Sequence, residues 1–115
     1  MSFRASYKYA RVSPRKVRPV ADMVRGQFAD DALDLLRFQT QRGARMLEKL
    51  IRSAIGNAQD PEQSPGHSVQ LKRLFIAEVR VDGGPMFKRI RPRARGMAHQ
   101  IKKRMSHLHV VLEEM

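Results

Sequence analysis

The sequence has no cysteine, no tryptophan and few other aromatic residues. Without cysteine, the chain can form no disulfide, no thiolate metal site and no thiol nucleophile. Aromatic residues make up 6% of the 115 residues, which argues against a stacking platform for single-stranded bases. No run of about 18 apolar residues is present, so the sequence predicts no helix that spans a membrane.

Acidic residues are in deficit. The chain has 11 Asp and Glu against 23 Lys and Arg, which gives a formal net charge of +12. Because unpaired like charges repel one another, such an excess indicates a polyanionic partner, either nucleic acid or an anionic membrane surface. The lack of a spanning segment, and of an apolar signal-like segment after Met1, favours nucleic acid as the partner and the cytoplasm as the location.

The length fits a single domain, residues 1–115, and hydrophobic residues at 42% are enough for a core. Residues 3–9 alternate between apolar and polar side chains, which predicts a strand. One face of this strand would carry Phe3, Ala5, Tyr7 and Tyr9.

Three helices are predicted after this strand. The first has Ser13 as its N-cap and Pro14 at its first position, and we expect it to run to Gly26. Pro19 lies inside it and should bend the helix or move its start later, because proline has no backbone donor. The second and third helices are expected at about 28–38 and 42–59.

The third helix has two distinct faces. Apolar residues at three- and four-residue spacing predict a face that packs on the core, namely Leu47, Leu50, Ile51, Ala54 and Ala58. A basic face carries Arg45, Lys49 and Arg52. These three cations are either a solvated helix face or contacts with nucleic acid, and the pattern leaves both interpretations open.

The second half of the chain carries two strand patterns. The apolar face of the first consists of Phe75, Ala77, Val79 and Val81, and that of the second consists of Leu108, Val110 and Leu112. The order of strand, helices, strand and strand predicts an α+β fold. Three helices would pack on one face of a small antiparallel three-stranded sheet.

A strongly basic segment, residues 83–104, separates these two strands. It contains eight Lys or Arg and no acidic residue. Alternate positions hold Arg89, Arg91, Arg93 and Arg95. In an extended backbone their guanidinium groups would emerge on one side, each about 6 to 7 Å from the next. Such a row indicates that phosphates lie against it, because the arginine side chain binds phosphate through a planar, permanently charged fork.

Two shapes are open for the basic segment. If Val79 pairs near Leu108, the segment is a long β-hairpin that turns near Arg93 and reaches roughly 40 Å from the sheet. The alternative is a tight turn at Gly83-Gly84 followed by an irregular loop. We prefer the hairpin, because structureless loops of about 20 residues are rare in compact domains. It divides the domain into a globular core, about 1–82 and 105–115, and an extended hairpin.

No catalytic constellation is apparent. His107 and His109 share a strand face and could begin a metal site, but no third ligand is indicated. Asp30, Asp31 and Asp34 are better explained by the positive end of a helix. The sequence therefore predicts no enzyme, no metal, no cofactor and no small-molecule substrate.

A protein that inserts a basic ribbon among phosphates and reads shape would suit a structured RNA. The alternative is an architectural DNA-binding protein with a basic β-ribbon arm. Basic residues on several segments and the lack of an obvious dimerisation helix favour RNA.

Three runs of the sequence are distinctive when taken together. They are Ser13-Pro14-Arg15-Lys16-Val17-Arg18, then Gly83-Gly84-Pro85 through Lys88-Arg89-Ile90-Arg91-Pro92-Arg93-Ala94-Arg95-Gly96, and Lys103-Arg104-Met105-Ser106-His107. Their order across nearly the whole chain resembles the bacterial members of the L-twenty-two family of large-subunit ribosomal proteins.

The resemblance implies a structural constituent of the large ribosomal subunit in the cytoplasm. Its globular domain would lie beside the nascent-chain exit, and its hairpin would line the exit tunnel near the extended loop of ribosomal protein L-four. The implied partners are the large-subunit ribosomal RNA, neighbouring ribosomal proteins and the nascent polypeptide. A role in subunit assembly is also implied.

The resemblance also implies RNA contacts at particular positions. Around the first helix these are Arg11, Arg15, Lys16 and Arg18, and in the basic segment they are Lys88, Arg89, Arg91, Arg93, Arg95, Lys102, Lys103 and Arg104. The helix pattern adds Arg45 and Lys49 as candidates. The hairpin tip would be Arg91, Pro92, Arg93, Ala94 and Arg95. The sequence departs from the usual family pattern at Pro19, Met97 and Met105.

Overall fold

A computed structural model of the chain describes residues 2–60, 70–92, 96 and 98–114, and for residues 87, 89–92 and 98–102 it describes the backbone. The elements in chain order are β1 (Ser2–Ala10), α1 (Pro14–Val24), α2 (Ala29–Arg37), α3 (Arg42–Ala58), a short 3-10 helix (Leu71–Arg73), β2 (Leu74–Pro92) and β3 (Ala98–Glu114). The predicted α+β class, with three helices and a three-stranded sheet, is confirmed.

The sheet is antiparallel, and β3 is its central strand, in the order β1-β3-β2. β1 pairs with β3 from Ser2↔Glu113 to Ala10↔Ser106. β2 pairs with β3 over a greater length, from Leu74↔Glu114 to Pro92↔Ala98. The long hairpin is therefore confirmed, and the alternative of a tight turn at Gly83-Gly84 followed by an irregular loop is wrong.

The helices cover one face of the sheet and enclose the core. β3 contributes Leu108, Val110 and Leu112 to it, as predicted, and all three are fully buried. The apolar stripe predicted on α3 is buried over its whole length. Burial of each leucine-sized side chain stabilises the fold by about 1.5 to 3 kcal/mol. The core thus holds α1 and α3 against the sheet and fixes the base of the hairpin.

The first helix begins at Pro14, as the sequence predicts. Ser13 occupies the N-cap position but makes no hydrogen bond through its side chain. Its carbonyl instead accepts the N–H groups of Lys16 and Val17 at 3.1 and 3.3 Å. Pro19 lies inside the helix without moving its start, so the expectation of a later start is wrong.

The first helix ends at Val24, two residues before the predicted end. Gly26 follows with a φ of +82°, a conformation that a side chain would strain. The turn that results brings the connection to α2 against the edge of β2. There, the N–H of Gly26 donates to the carbonyl of Ile76 at 3.0 Å, and the N–H of Ile76 donates to that of Gln27 at 2.8 Å.

A β-bulge changes the buried face of β2. The register shifts between Ile76 and Glu78, because β2 has one residue more than β3 at this point. The alternation predicted from Phe75 and Ala77 onward is therefore wrong at its start, where both side chains are only partly buried. The buried residues of this part of β2 are Leu74, Ile76, Val79 and Val81.

A second bulge lies near the end of β1, where the register shifts between Tyr7 and Ala10. Phe3 and Ala5 are buried, as their alternation predicts. Tyr9, however, has a φ of +60° and is 60% exposed. The prediction that Tyr9 shares the apolar face is wrong, because the bulge interrupts the alternation before it.

A third bulge, between Gly83 and Met86, lies where the two-stranded part of the hairpin begins. Gly84 fits here because a Cβ would come within 3.2 Å of the backbone carbon and oxygen of Met105. The register puts Val79 opposite Val110, two residues from the predicted position. The paired strands end at Pro92 and Ala98, so the predicted turn at residues 93 and 94 lies outside the described residues.

Candidate nucleic-acid interface

The hairpin projects from the globular part as a two-stranded arm, which we define as residues 84–105. The molecule measures 68 × 28 × 15 Å. Its radius of gyration is 17.5 Å, whereas a compact chain of this length would have roughly 13 Å. β1 stops at Ala10↔Ser106, so the arm beyond this pair consists of β2 and β3 alone.

Basic residues occupy both faces of the arm. Lys88 pairs with Lys102, and Arg104 lies two positions from Lys102, so these three residues share one face. Lys103 belongs to the opposite face. The side chains of Lys88, Lys103 and Arg104 are exposed. Like charges that lie close together repel one another, so an anionic partner beside these exposed cations would stabilise the arm.

The predicted row of arginines begins on β2. Arg89 and Arg91 pair with Ile101 and His99, which puts both on the face that carries Lys103. Pro92, expected near the apex, is the last residue of β2. The remaining predicted tip residues, which lie outside the described part of the chain, are Arg93, Ala94 and Arg95.

A second set of cations surrounds the connection between β1 and α1, and we call it the N-terminal cluster. It consists of Lys8, Arg11, Arg15 and Lys16, all of them exposed. The ion pairs among the residues that the structure describes involve none of the four. Their charges are therefore available to an anionic partner. The sequence predicted three of them and missed Lys8, which counted only as the polar side of a strand.

Arg18, another predicted RNA contact, has a contact within the protein. Its Nη2 donates to the carbonyl of Val81 at 3.3 Å, and Nη2 of Arg25 donates to the carbonyl of Val79 at 2.8 Å. Both carbonyls belong to β2, an edge strand of the sheet. The two arginines thus cover an edge that would otherwise expose unpaired carbonyls. Arg18 is also exposed, and a guanidinium has five N–H donors, so some remain for a second partner.

Arg45 binds the end of the neighbouring helix. Its Nη2 donates to the carbonyls of Leu36 at 2.6 Å and Arg37 at 3.2 Å, and also to that of Gln39. These carbonyls lie at and just beyond the end of α2, where helix carbonyls have no partner within the helix. A positive charge at this end also interacts favourably with the helix dipole. Arg45 therefore holds α2 and α3 together.

The basic face predicted on α3 is partly neutralised by a buried acid. Glu48 is 8% exposed and pairs with Arg45 and Arg52, each at 2.8 Å. Lys49 is exposed and takes part in no ion pair among the described residues. Of the three cations on this face, Lys49 thus has the charge most available to an anion.

The acidic side chains that the structure describes belong to residues that precede or follow the arm in the chain. α2 carries Asp30, Asp31 and Asp34. On the uncovered face of the sheet, Arg80 lies 3.1 Å from Asp82 and 3.8 Å from Glu78, so its charge is balanced within the protein. Residues 84–105 contain no acid at all. The molecule is thus basic at the arm and mixed in charge on the sheet face.

His107 and His109, which lie on β3, have hydrogen-bond partners on the uncovered sheet face. Nδ1 of His109 lies 2.9 Å from Oγ of Ser6, and its Nε2 lies 3.5 Å from Asp82. Nδ1 of His107 accepts the backbone N–H of Tyr9 at 3.0 Å. In the described ranges there is no group of three or more histidine or acidic side chains that could hold a metal ion. No helix of these ranges is long and apolar enough to cross a bilayer.

Comparison with known proteins identifies the family. The model of the family described as ribosomal protein L22p/L17e matches residues 5–113, which include the N-terminal cluster and the whole arm. The chain belongs to this family. The resemblance inferred from the three sequence runs is confirmed.

Bacterial relatives match nearly the whole chain. The large ribosomal subunit protein uL22 of Rhodopirellula baltica is 66% identical over 96% of this chain and 92% of that protein. The protein of the same name from Caldicellulosiruptor saccharolyticus is 50% identical over 96% of this chain and 86% of its own length. That of Maridesulfovibrio salexigens is 49% identical over the full length of both.

Membership of the L22 family confirms two further predictions. The protein is a structural ribosomal protein and not an enzyme, and its place is the ribosome in the cytoplasm. Neither the comparisons nor the described geometry favours the alternative of an architectural DNA-binding protein.

Tyr9, which lies beside the N-terminal cluster, is the residue that sequence reasoning assigned to the wrong face of β1. Its sequence neighbours, Lys8 and Arg11, are a basic context that could have drawn attention to it. Its left-handed backbone depends on the register between β1 and β3, which alternation along one strand does not reveal.

Proposed function

We propose that this protein is a constituent of the large ribosomal subunit and binds its ribosomal RNA through the arm and the N-terminal cluster. Relatives up to 66% identical bear the name of a large-subunit protein. The net charge of +12 suits a partner whose phosphates supply a negative charge at every nucleotide.

One observation carries the proposal: the arm has basic residues on both faces and no acid. A protein that merely rested on RNA would need cations on one face. Cations on both faces suit a ribbon enclosed by phosphates, whose binding releases condensed counterions on each side. Among the arm side chains that the structure describes, only Met105 is buried, so contact with RNA would also stabilise the arm.

The proposed RNA contacts differ in how free their charges are. The most available are Arg11, Arg15, Lys16, Lys49, Lys88, Lys103 and Arg104, all of them exposed. Arg18 and Arg45 would contact RNA with the donors left over from their backbone contacts. The sequence supports Arg89, Arg91, Arg93, Arg95 and Lys102 through their positions in the basic segment.

The same proposal extends to the place of each part within the subunit. The globular core, about 1–82 and 105–115, would lie on the subunit surface beside the nascent-chain exit. The hairpin, with its tip at 91–95, would line the tunnel and face the nascent polypeptide and neighbouring ribosomal proteins. By joining separate RNA segments, the arm would also assist assembly of the subunit.

Fractionation of native cell extract on a sucrose gradient tests the proposal. In high salt, and again at low magnesium where the subunits separate, the chain should sediment with the large subunit. Ribonuclease treatment should release it, whereas deoxyribonuclease should not. Sedimentation with DNA, release by deoxyribonuclease or a free chain at the top of the gradient would contradict the proposal.

A further inference from the structure

Tyr9 combines exposure with a fixed geometry. The residue is 60% exposed, and its ring packs edge-to-face with that of His107, with ring centroids 4.9 Å apart and planes at 90°. Its backbone N–H donates to Nδ1 of the same histidine at 3.0 Å. Its φ of +60° is a conformation that bulky residues rarely adopt. An exposed aromatic side chain is thus held in place by two contacts with one neighbour.

At least one face of the Tyr9 ring is left open by this pair. In an edge-to-face pair, one ring presents its edge to the face of the other. If Tyr9 presents its edge to His107, both faces of the Tyr9 ring are clear of His107. If Tyr9 presents one face, the opposite face is clear. Because Tyr9 is an exposed residue, a flat group can stack on the open face of its ring.

The charges around Tyr9 favour an anionic ligand. Lys8 and Arg11 flank it in the chain, and both belong to the N-terminal cluster. Phe38 is more exposed, at 82%, and follows Arg37, but among the described residues its ring takes part in no aromatic contact. Tyr9 therefore combines neighbouring cations with a ring that a contact holds in position.

We propose that Tyr9 stacks on one unpaired base of the RNA, with His107 holding the ring in position. Unpaired bases in loops and bulges are recognised by stacking on aromatic rings, while cations bind the adjoining phosphates. The inference rests on the proposed RNA-binding function. It names an unpaired base as the ligand of one part of that interface. It concerns a single base, whereas the low aromatic content argues against a platform for several.

Affinity for large-subunit ribosomal RNA, measured by filter binding at several salt concentrations, tests the stacking. Tyr9→Leu keeps an apolar side chain and removes the aromatic ring, and we expect it to weaken binding about tenfold with an unchanged salt dependence. Tyr9→Phe keeps the ring and should bind within about twofold of the unaltered protein. Arg11→Ala is the matched comparison, since loss of a cation should make the salt dependence shallower.

A fluorescence measurement reports on the ring itself. The chain has no tryptophan, so Tyr9→Trp introduces a single indole that can be excited where RNA hardly absorbs. Stacking on a base should quench its emission when the RNA is added and shield it from acrylamide. Tyr7→Trp, two residues away on the same strand, should change much less.

The outcomes separate this inference from the proposed function. If the unaltered protein does not bind the RNA, the proposed function fails. If it binds and Tyr9→Leu binds equally well, or loses affinity with a shallower salt dependence, stacking is overturned while RNA binding stands. Equal quenching of the Tyr9→Trp and Tyr7→Trp variants would also overturn it. Circular dichroism melting of each variant checks that the fold is intact, and the fluorescence pair decides the matter if Tyr9→Leu unfolds.

Discussion

In the described part of the chain, three arginines bind backbone carbonyls, and each therefore serves the fold as well as the charge of the surface. Arg18 and Arg25 bind the edge of β2, and Arg45 binds the end of α2. A guanidinium suits this use because its planar fork carries several donors and stays charged. Removal of such a side chain should therefore lower the stability of the fold as well as the affinity for RNA.

Replacement of Arg45 should separate these two roles. We expect Arg45→Ala to lower the free energy of unfolding by about 1 to 2 kcal/mol, because the carbonyls after α2 lose their donor and Glu48 loses a partner. Lys49→Ala, on the same helix, should change it by less than about 0.5 kcal/mol. Urea denaturation followed by circular dichroism measures both. Equal losses in the two variants would contradict the assignment.

Sequence reasoning at this scale identified exposed cations but not their contacts. Arg11, Arg15 and Lys16 are exposed, as their predicted role requires. In the sequence, Arg45 and Lys49 are both basic residues on one predicted face of the third helix. In the structure, it is Arg45 that binds the end of α2. That difference depends on how two helices pack, which the spacing along one helix does not contain.

All three bulges of the sheet lie in its edge strands, and β3 runs through the middle without an extra residue. Bulges discourage edge-to-edge pairing, because they twist the strand and interrupt its row of free backbone groups. The edge of β2 is further covered by Arg18, Arg25 and the turn after α1. These features should disfavour pairing of the edge strands with other chains.

Elements were predictable from the sequence to different degrees. The predicted start of α1 and the centres of α2 and α3 agree with the structure, because their apolar spacing and Pro14 are local signals. The faces of β1 and β2 were partly wrong, since one extra residue reverses the alternation that follows it. Nothing in Ala77 or Tyr9 alone marks the position of a bulge.

The two glycines at the base of the arm should respond differently to substitution. In Gly84→Ala the new Cβ would lie 3.2 Å from the backbone of Met105, and we expect a loss of about 1 kcal/mol in stability. Gly83→Ala has nothing within 4 Å of the new atom and should be nearly neutral. Thermal unfolding of both variants measures the difference. A neutral Gly84→Ala would contradict the close approach.

The whole molecule separates its charge by region. The arm carries only basic residues among its charged side chains, while the uncovered sheet face balances Arg80 with two acids. The sequence predicted this basic segment and its long hairpin correctly, because both follow from composition and from the two flanking strands. It did not predict the cations on both faces, since these depend on the register between β2 and β3.

Loss of the arginine row should weaken RNA binding without unfolding the protein. We expect the combined Arg91→Ala, Arg93→Ala and Arg95→Ala variant to keep its melting temperature, because the core cluster contains no arm residue among those that the structure describes. Its affinity for ribosomal RNA should fall, and the slope of log affinity against log salt should become shallower by about 2 to 3. Filter binding at several salt concentrations measures the slope. An unchanged slope would mean that the arm does not bind phosphate.

The central place of β3 has a consequence for how this protein is made. β3 follows β1 and β2 in the chain, yet it lies between them in the sheet and joins the two. Until residues 98–114 have been translated, the helices therefore have no sheet to pack on, and their apolar sides stay exposed to aggregation and proteolysis. A copy that terminates early should be degraded before it can compete with the finished protein for its binding site.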